Sequence, residues 1–457
     1  MTNGTATVRT EGDGIDTATR ALIVGLGATG LSAARWLASR GAAVAVTDSR
    51  ERPPGLQALQ ESLPDAALFI GGFSQLALDH ADMLVLSPGV PLSDPFVRQA
   101  EARGLPVIGD IELFARAAAA PVVAVTGSNG KSTVTTLLGM MAERAGIDVR
   151  VGGNLGTPAL DLLGVDEPEL YVLELSSFQL ETTASLDASA AAVLNVSADH
   201  LDRYAGIDAY AAAKARIWSG TGAVIANRDD PLCAALVPPH REVTWFGLTP
   251  PRADGEYGLR TVDGVPWLCC GDEQLMRLDA LKMAGLHNAA NALAALALGA
   301  AAGMPPAPMV QVLEQFGGLP HRMEWVAERD GTAWYNDSKA TNVGATLAAV
   351  AGFDRPLVLI VGGDGKGQDF APLAEALRGK AHDVVVIGRD AERIGAALQA
   401  VCTVHTASDM AAAVRAASRV ARPGDGVLLS PACSSLDMFE NFEARGRAFA
   451  EAVRGLT

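Results

Sequence analysis

The sequence predicts an α/β protein of three domains built on largely parallel sheets, and three observations carry that reading. Strand-like apolar runs alternate with amphipathic or alanine-rich helical runs nearly throughout. Glycine-rich turns sit where a run of the first kind meets one of the second. The 457 residues also exceed the roughly 250–300 at which a single core stops growing.

Residues 1–19 are polar, lack the apolar stretch of a secretory signal, and read as a flexible extension. The first strand run, ALIVGLG (21–27), is followed by Leu31, Ala34 and Leu37 at helical spacing, and AAVAVTD then ends at Asp48. GLPVIGDIELF (104–114) closes this unit, so the first domain is expected over 20–109. VVAVTG (122–127) opens the second, with Val134, Leu137, Leu138 and Met141 on one helical face; YVLELS (171–176) and AAVLNV (191–196) follow as strands. Between 228 and 282 the pattern shifts to short β-like runs with turn signals, VTWFG (243–247) and VDGVPWLCC (262–270), which predicts a small antiparallel excursion. An alanine-rich stretch from Ala284 to Met304 contains His287, Asn288 and Asn291, which argues for a buried helix over a membrane span. GGLPHRMEW (317–325) ends the second domain, expected over 110–318. The third, 319–457, carries strand runs LVLIVGG (357–363), DVVVIG (383–388) and GVLLSP (426–431).

Composition narrows the function classes. With 36 Lys+Arg against 52 Asp+Glu the net charge is −16, which repels nucleic acid and anionic membrane, so neither is expected as a partner. A polyanionic ligand therefore needs a local site. Cys233, Cys269, Cys270, Cys402 and Cys433 are odd in number and lack metal-type spacing, as in a cytoplasmic protein with reduced thiols.

Gly25, Gly27 and Gly30 form GxGxxG between a strand and a helix, with Asp48 at the end of the next strand. That pattern leaves NAD, another nucleotide or a purely structural tight turn open. The second glycine turn, Thr126, Gly127, Ser128, Asn129, Gly130, Lys131, Ser132 and Thr133, is more specific. Its backbone N–H groups can cradle phosphates, Lys131 can neutralise them and a hydroxyl can ligate Mg²⁺, which points to ATP or GTP. It is a shortened form of the usual loop, because the position six before Lys131 is Val125. Glu174 ends a predicted strand, where α/β sheets place ligands, and its carboxylate can bind Mg²⁺. His200 follows another such strand and Lys214 lies on a predicted helix; singly, each is more often structural. Asn336–Asn342, Gly362–Lys366 and Ser430–Asp437 all follow apolar runs and so share one rim. Its lysines, Lys339 and Lys366, suit an anionic second substrate or the ribose and phosphates of ATP, against simple turn chemistry.

Together, TGSNGKST, ELSSFQLETT, the His200 segment, GLHNAANALAA, GLPHRMEW, NDSKATN and SPACSSLDMFENFEARG resemble the Mur ligases of peptidoglycan synthesis over nearly everything after about residue 20. NDSKATN, GGDGKG and SPACSSLD are similar to the versions in the D-glutamate-adding member, and the DNP-type motif of the diaminopimelate-adding member is not found. The resemblance implies an N-terminal Rossmann-like UDP-binding domain, a central P-loop ATPase-type domain and a C-terminal Rossmann-like domain. It implies an ATP- and Mg²⁺-dependent cytoplasmic ligase, expected as a monomer, whose substrates are UDP-N-acetylmuramoyl-L-alanine, D-glutamate and ATP. It further implies a role in cell-wall biogenesis, and through it in cell shape and division.

By the same resemblance Lys131 binds the β- and γ-phosphates within the loop 126–133, and Asn288, Asn291, Arg322, Asp337 and Lys339 also contact ATP. Ser132 and Glu174 take one Mg²⁺, with His200 and Lys214 at a second, Lys214 as a carbamate because an ammonium cannot ligate a cation. Gly27, Ala28, Thr29, Ser49, Arg50, Ser87 and Gly89 hold the UDP substrate, with Asn154 and His200 facing its activated carboxyl group. Thr341, Lys366, Ser435, Leu436 and Phe442 form the glutamate pocket. The resemblance thus moves the first glycine motif from NAD to UDP. Three alternatives compete: a folylpolyglutamate-type or L-glutamate-adding ligase of the same fold, an NAD-dependent dehydrogenase, and a non-catalytic nucleotide-binding module. Residue types alone do not separate D- from L-glutamate.

Overall fold

The computed structural model describes residues 15–154, 156–200, 202–283, 285–353 and 355–456; most of the expected extension 1–19 lies outside the described residues. The chain forms two compact units, one of residues up to Ala124 with Asp148–Ser189 and Arg216–Gly222, the other of Val125–Ile147, Ala190–Ala215 and Ala223 onward.

In the first unit, β1 (Arg20–Val24), β2 (Ala43–Asp48), β3 (Ala67–Ile70), β4 (Met83–Leu86) and β5 (Val107–Ile108) make a parallel sheet in the order β3-β2-β1-β4-β5. β1 and β4 are the continuous apolar runs, since both their faces are buried. The order reverses between β1 and β4, which opens a crevice at their carboxyl ends. The turn into helix Ala28–Ser39 needs its glycines: Gly25 has φ +94°, and a Cβ on Gly30 would strike the Gly25 carbonyl oxygen. Farther along, β6 (Val122–Thr126) leads out of this unit, while β7 (Val149–Gly153) pairs in parallel with β8 (Leu170–Glu174) inside it. A reciprocal cap between Ser176 and Gln179 starts the short helix Ser177–Glu181 immediately after Glu174.

Gln179 also donates from Nε2 to Asp110 Oδ2 (3.0 Å), while Asp110 Oδ1 is buried without a hydrogen-bond partner among the described residues. Burial raises the Asp110 carboxyl to about 6. Its folded pKa lies above the unfolded value near 4, so the fold binds this proton more tightly and loses stability as pH rises through that interval. Asp110→Asn is therefore expected to raise the unfolding free energy at pH 8 by on the order of 2 kcal/mol more than at pH 4. Denaturant unfolding at both pH values checks this; equal shifts would show that the carboxyl does not titrate in the interval.

The second unit begins with the glycine turn and helix Lys131–Arg144. Beyond them, β9 (Ala190–Val193), β10 (Ala223–Asn227), β11 (Val243–Phe246) and β12 (Tyr257–Val262) run parallel, and β13 (Val265–Cys270) and β14 (Glu273–Arg277) continue antiparallel. The β12–β13 turn is Asp263-Gly264, both left-handed (φ +50° and +79°), the type I′ geometry suited to strand twist. Helix Leu286–Ala301 is buried along most of its length and packs on helix Lys131–Arg144. No helix among the described residues is long and apolar enough to cross a membrane.

The C-terminal sheet comprises β15 (Glu324–Arg329), β16 (Thr332–Asn336), β17 (Leu357–Gly362), β18 (Ala381–Ile387), β19 (Thr403–Thr406) and β20 (Gly426–Leu429), in the order β15-β16-β20-β17-β18-β19. Only β15 is antiparallel to its neighbour. A core on each face buries Leu357, Leu359 and Val361 to one side and Val358 and Ile360 to the other, which explains the unbroken apolar run of β17.

Candidate active site

A cleft of about 450 Å³ lies in the first unit at the carboxyl ends of β1, β2 and β4. Gly27, Ala28, Thr29, Ser49, Arg50, Ser87, Gly89 and Asn154 all line it. Gly27 is the N-cap of helix Ala28–Ser39, and no side chain caps that end. Its first N–H groups and the helix dipole therefore favour an anion such as a diphosphate. Asp48, the residue a dinucleotide site would use on a ribose, is committed internally. Its Oδ2 accepts from Leu26 N (2.7 Å) and Arg50 Nη2 (2.6 Å), and its Oδ1 from Arg50 N and Nε. Burial alone would raise its pKa, but these donors outweigh burial and lower it to about 2. Ser87 donates to Gly25 O (2.6 Å) and so braces the glycine turn. Phe73, Pro158 and Gln179 also line the cleft, though the sequence reading did not single them out.

Asn154 joins this cleft to Glu174: Asn154 Nδ2 donates to Glu174 Oε1 (2.7 Å) and Asn154 N to Glu174 O (2.7 Å). Glu174 is 2% exposed, and its Oε2 is buried with no hydrogen-bond partner among the described residues. An unsatisfied buried carboxylate oxygen suits a hard divalent cation or the water bound to one. Mg²⁺ therefore fits Glu174 on the chemistry of its donor atoms.

In the second unit the glycine turn holds its lysine close. Lys131 Nζ donates to Gly127 O (2.8 Å) and Ser128 O (3.1 Å), and Lys214 Nζ, almost fully buried, donates to Gly127 O as well (2.9 Å). Ser132 Oγ accepts from Arg322 Nη2 (2.9 Å). Thus Arg322 and Lys214 meet Lys131 and Ser132 at one loop. His200 stands nearby at φ +54°, with Nε2 3.7 Å from Asp199 Oδ2. Burial lowers its pKa to about 4; Asp199 opposes this and the cations Lys366 and Lys131 reinforce it. The imidazole is neutral at pH 7, the form that can ligate a metal.

A cleft of about 300 Å³ extends from this loop. Asn129, Gly130, Thr133, Asn288, Asn291, Arg322, Asp337 and Lys339 line it, together with Phe246, Asn227 and His287, to which the sequence assigned no site role. Asn291 Nδ2 donates to Asn288 Oδ1 (3.2 Å). Asp337 accepts from Ser430 Oγ (2.9 Å), and burial raises its pKa to about 7, against the opposing effects of Ser430 and Arg322.

The expected acceptor residues lie on the C-terminal loops. Lys366 Nζ reaches Asp199 Oδ1 (3.3 Å), Lys339 Nζ sits 3.9 Å over the Phe442 ring, Ser435 is buried and Leu436 is exposed. Arg445, fully buried, ties three of these loops together: it donates to Ser338 Oγ and O, to Cys433 O and to Gly362 O. Of the eight left-handed non-glycine residues described, five (His200, His321, Met323, Lys366 and Ala432) fall in the predicted motifs. Such strain marks loops whose geometry the surroundings enforce.

Asp199 and Asn342 are polar residues the sequence reading quoted inside motifs without a role, and the structure connects them. Asn342 Nδ2 donates to Asp199 Oδ2 (3.1 Å) and to Asn129 Oδ1 (3.2 Å). The available signal was adjacency: Asp199 precedes His200 and Asn342 closes NDSKATN. Glu174 belongs to the other unit, so the expected metal set is divided in sequence between the two. Among the described residues no three His, Cys, Asp or Glu side chains group to hold a metal.

Three family descriptions match the chain: "Mur ligase MurD-like, N-terminal domain" over residues 19–109, "Mur ligase middle domain" over 125–299 and "Mur ligase, glutamate ligase domain" over 321–433. The chain is 56% identical over 439 residues to the UDP-N-acetylmuramoylalanine–D-glutamate ligase of Nitrosococcus oceani, covering 96% of this chain and 97% of that one. The proteins of the same name from Thiobacillus denitrificans and Pseudomonas putida are each 53% identical, covering 96% and 95% of this chain and 96% and 97% of theirs. Among solved structures, the UDP-N-acetylmuramate-alanine ligase MurC of Thermotoga maritima superposes with TM-score 0.59 at 20% identity, covering 95% of this chain and 99% of that one. A pseudomurein peptide ligase type C from Methanothermus fervidus gives 0.61 at 17%, covering 96% and 100%. These two likenesses concern the fold.

Proposed function

The chain belongs to the Mur ligase family, and from that premise we infer that it is an ATP-dependent ligase adding D-glutamate to UDP-N-acetylmuramoyl-L-alanine in peptidoglycan precursor synthesis. High identity over nearly the full length of curated relatives of that name supports the reading. The observation that carries it is the cationic phosphate loop of Lys131 and Arg322, with the acceptor-side Lys366 and its loops in the same unit.

A carboxylate is a poor electrophile, so joining it to an amine needs activation. The alanyl carboxylate attacks the γ-phosphorus of ATP, the bond to the β-bridging oxygen breaks, and an acyl phosphate and ADP result. The glutamate amine then adds to the acyl carbon. The tetrahedral intermediate expels phosphate, and the amine's proton leaves to solvent or base. Both substrates and the transferring phosphoryl group carry net negative charge, so the protein's share is charge neutralisation and positioning.

In this reading the loop 126–133, with Lys131 and Arg322, holds the phosphates, and the cleft of Asn288, Asn291, Asp337 and Lys339 takes the rest of ATP. Gly27 to Thr29, Ser49, Arg50, Ser87, Gly89 and Asn154 of the first unit hold the UDP substrate, and His200 of the second is assigned to its carboxyl end. Lys366, Thr341, Ser435, Leu436 and Phe442 receive glutamate. Glu174 in the first unit, and Ser132, His200 and a carbamylated Lys214 in the second, would each offer a ligand to Mg²⁺, which when bound would neutralise phosphate charge. The site is read as that of a monomeric, cytoplasmic enzyme.

A dehydrogenase would leave the phosphate loop and Glu174 without a use. A folate-type ligase would leave the MurD-like N-terminal domain unexplained. The test is ADP release with ATP, Mg²⁺ and UDP-N-acetylmuramoyl-L-alanine, adding D-glutamate, L-glutamate or neither. Turnover with D-glutamate alone is expected. Turnover with L-glutamate alone would change the acceptor, and none with either would remove the ligase reading.

A further inference from the structure

Asp199 is 5% exposed and has no role in the reaction as written above. Its Oδ1 accepts from Lys366 Nζ (3.3 Å) and His200 N (2.9 Å), and its Oδ2 from Asn342 Nδ2 (3.1 Å). Lys366 is held at φ +49° between Gly365 and Gly367, with its N–H on Asp364 Oδ1 (3.0 Å). Asn342 caps helix Val343–Ala351 through Ala345 N (2.8 Å) and donates to Asn129 of the phosphate loop (3.2 Å). One buried carboxylate thus links the acceptor-side lysine to the loop that carries the phosphoryl group.

An acceptor amino acid arrives as a zwitterion. A site that buries it must offer a cation to its carboxylate and an anion to its ammonium, because either charge left unpaired is costly. Lys366 answers only the first need. Resting on the acceptor-site reading of Lys366, we propose that the Asp199–Lys366 ion pair is a zwitterion clamp: it opens on binding, Lys366 taking an acceptor carboxylate and Asp199 the acceptor ammonium. The acceptor replaces each half of the pair with a partner of the same charge, so neither residue is left buried alone. Asn342, fixed by its own helix cap, holds the carboxylate beside Asn129, which presents the acceptor nitrogen at the phosphate loop. Asp199 would then select amino acids over diacids of the same length.

The test compares D-glutamate with glutarate, which has both carboxylates and no amine, in the full-length chain. The KM for D-glutamate and the competitive inhibition constant of glutarate are measured for the unsubstituted protein and for Asp199→Asn. Removing one partner of a buried charge pair costs enough to weaken D-glutamate by at least about 30-fold, while glutarate is expected to change less than about threefold or to tighten. Asp199→Glu, which keeps the charge, is expected to retain most of the preference. Lys366→Met is expected to weaken both ligands together.

Equal weakening of the two ligands by Asp199→Asn, or an unchanged ratio, would overturn the clamp. Should Asp199→Asn fail to fold, loss of the preference in Asp199→Glu would overturn it as well. Absence of D-glutamate-dependent turnover in the unsubstituted protein would overturn both the clamp and the function on which it rests, and that result needs no variant.

Discussion

Lys131→Ala lowers kcat by about 10³-fold or more, the scale of losing a cation on a transferring phosphoryl group, and leaves binding of the UDP substrate unchanged. Lys131 Nζ lies against its own loop, on Gly127 O and Ser128 O. An ammonium with two carbonyl partners can exchange them for phosphate oxygens at little cost, because both arrangements satisfy its donors. Helix Lys131–Arg144 starts at Gly130, whose left-handed φ of +84° belongs to the glycine itself. The variant should therefore fold. The residues expected to hold UDP, apart from His200, lie in the other unit. Calorimetric titration with the UDP substrate and an ADP-release assay together check the split. Retained turnover would remove Lys131 from the phosphate site, and lost UDP-substrate binding would show a wider disruption.

Lys214→Ala is expected to lower turnover by about 10²-fold or more, as for a residue that anchors charge at the transfer site, and short carboxylic acids should restore part of it. Lys214 and Lys131 donate to the same Gly127 carbonyl, at 2.9 and 2.8 Å, so their nitrogens stand within about 6 Å and two ammonium charges there repel. Lys214 is 1% exposed, which adds desolvation to repulsion. Carbamylation replaces one cation by an anion, relieves the repulsion and supplies oxygen ligands. Mass spectrometry of the intact protein should show one added carboxyl group that bicarbonate depletion removes along with activity. An unmodified lysine with full activity in bicarbonate-free buffer would sink the carbamate and leave Lys214 as a cation on the loop.

How far the site was legible in the sequence varied with chain distance. The loop 126–133 is local, because strand, glycines, lysine and hydroxyls follow one another in the chain. Asp48 shows the opposite case. The fingerprint assigns it to a ribose, yet it is consumed by Leu26 N and Arg50. Whether a carboxylate at a strand end is open to a ligand depends on which donors the neighbouring turn turns inward, and no spacing records that. Phe246 and Asn227 reach the cleft beside the loop from β11 and β10. They carry no motif, and only the strand order brings them there.

The sequence by itself determined the fold class, the glycine-rich loop 126–133 and the family, because these follow from hydrophobic period, glycine placement and residue types held in consecutive runs. Only the tertiary structure decided which charges meet. Asp199 and Lys366 are 167 residues apart in the chain, and Lys131 and Lys214 share one carbonyl from two different helices. Electrostatic pairing depends on separation in space and on burial, and both are set by how the sheets and helices pack.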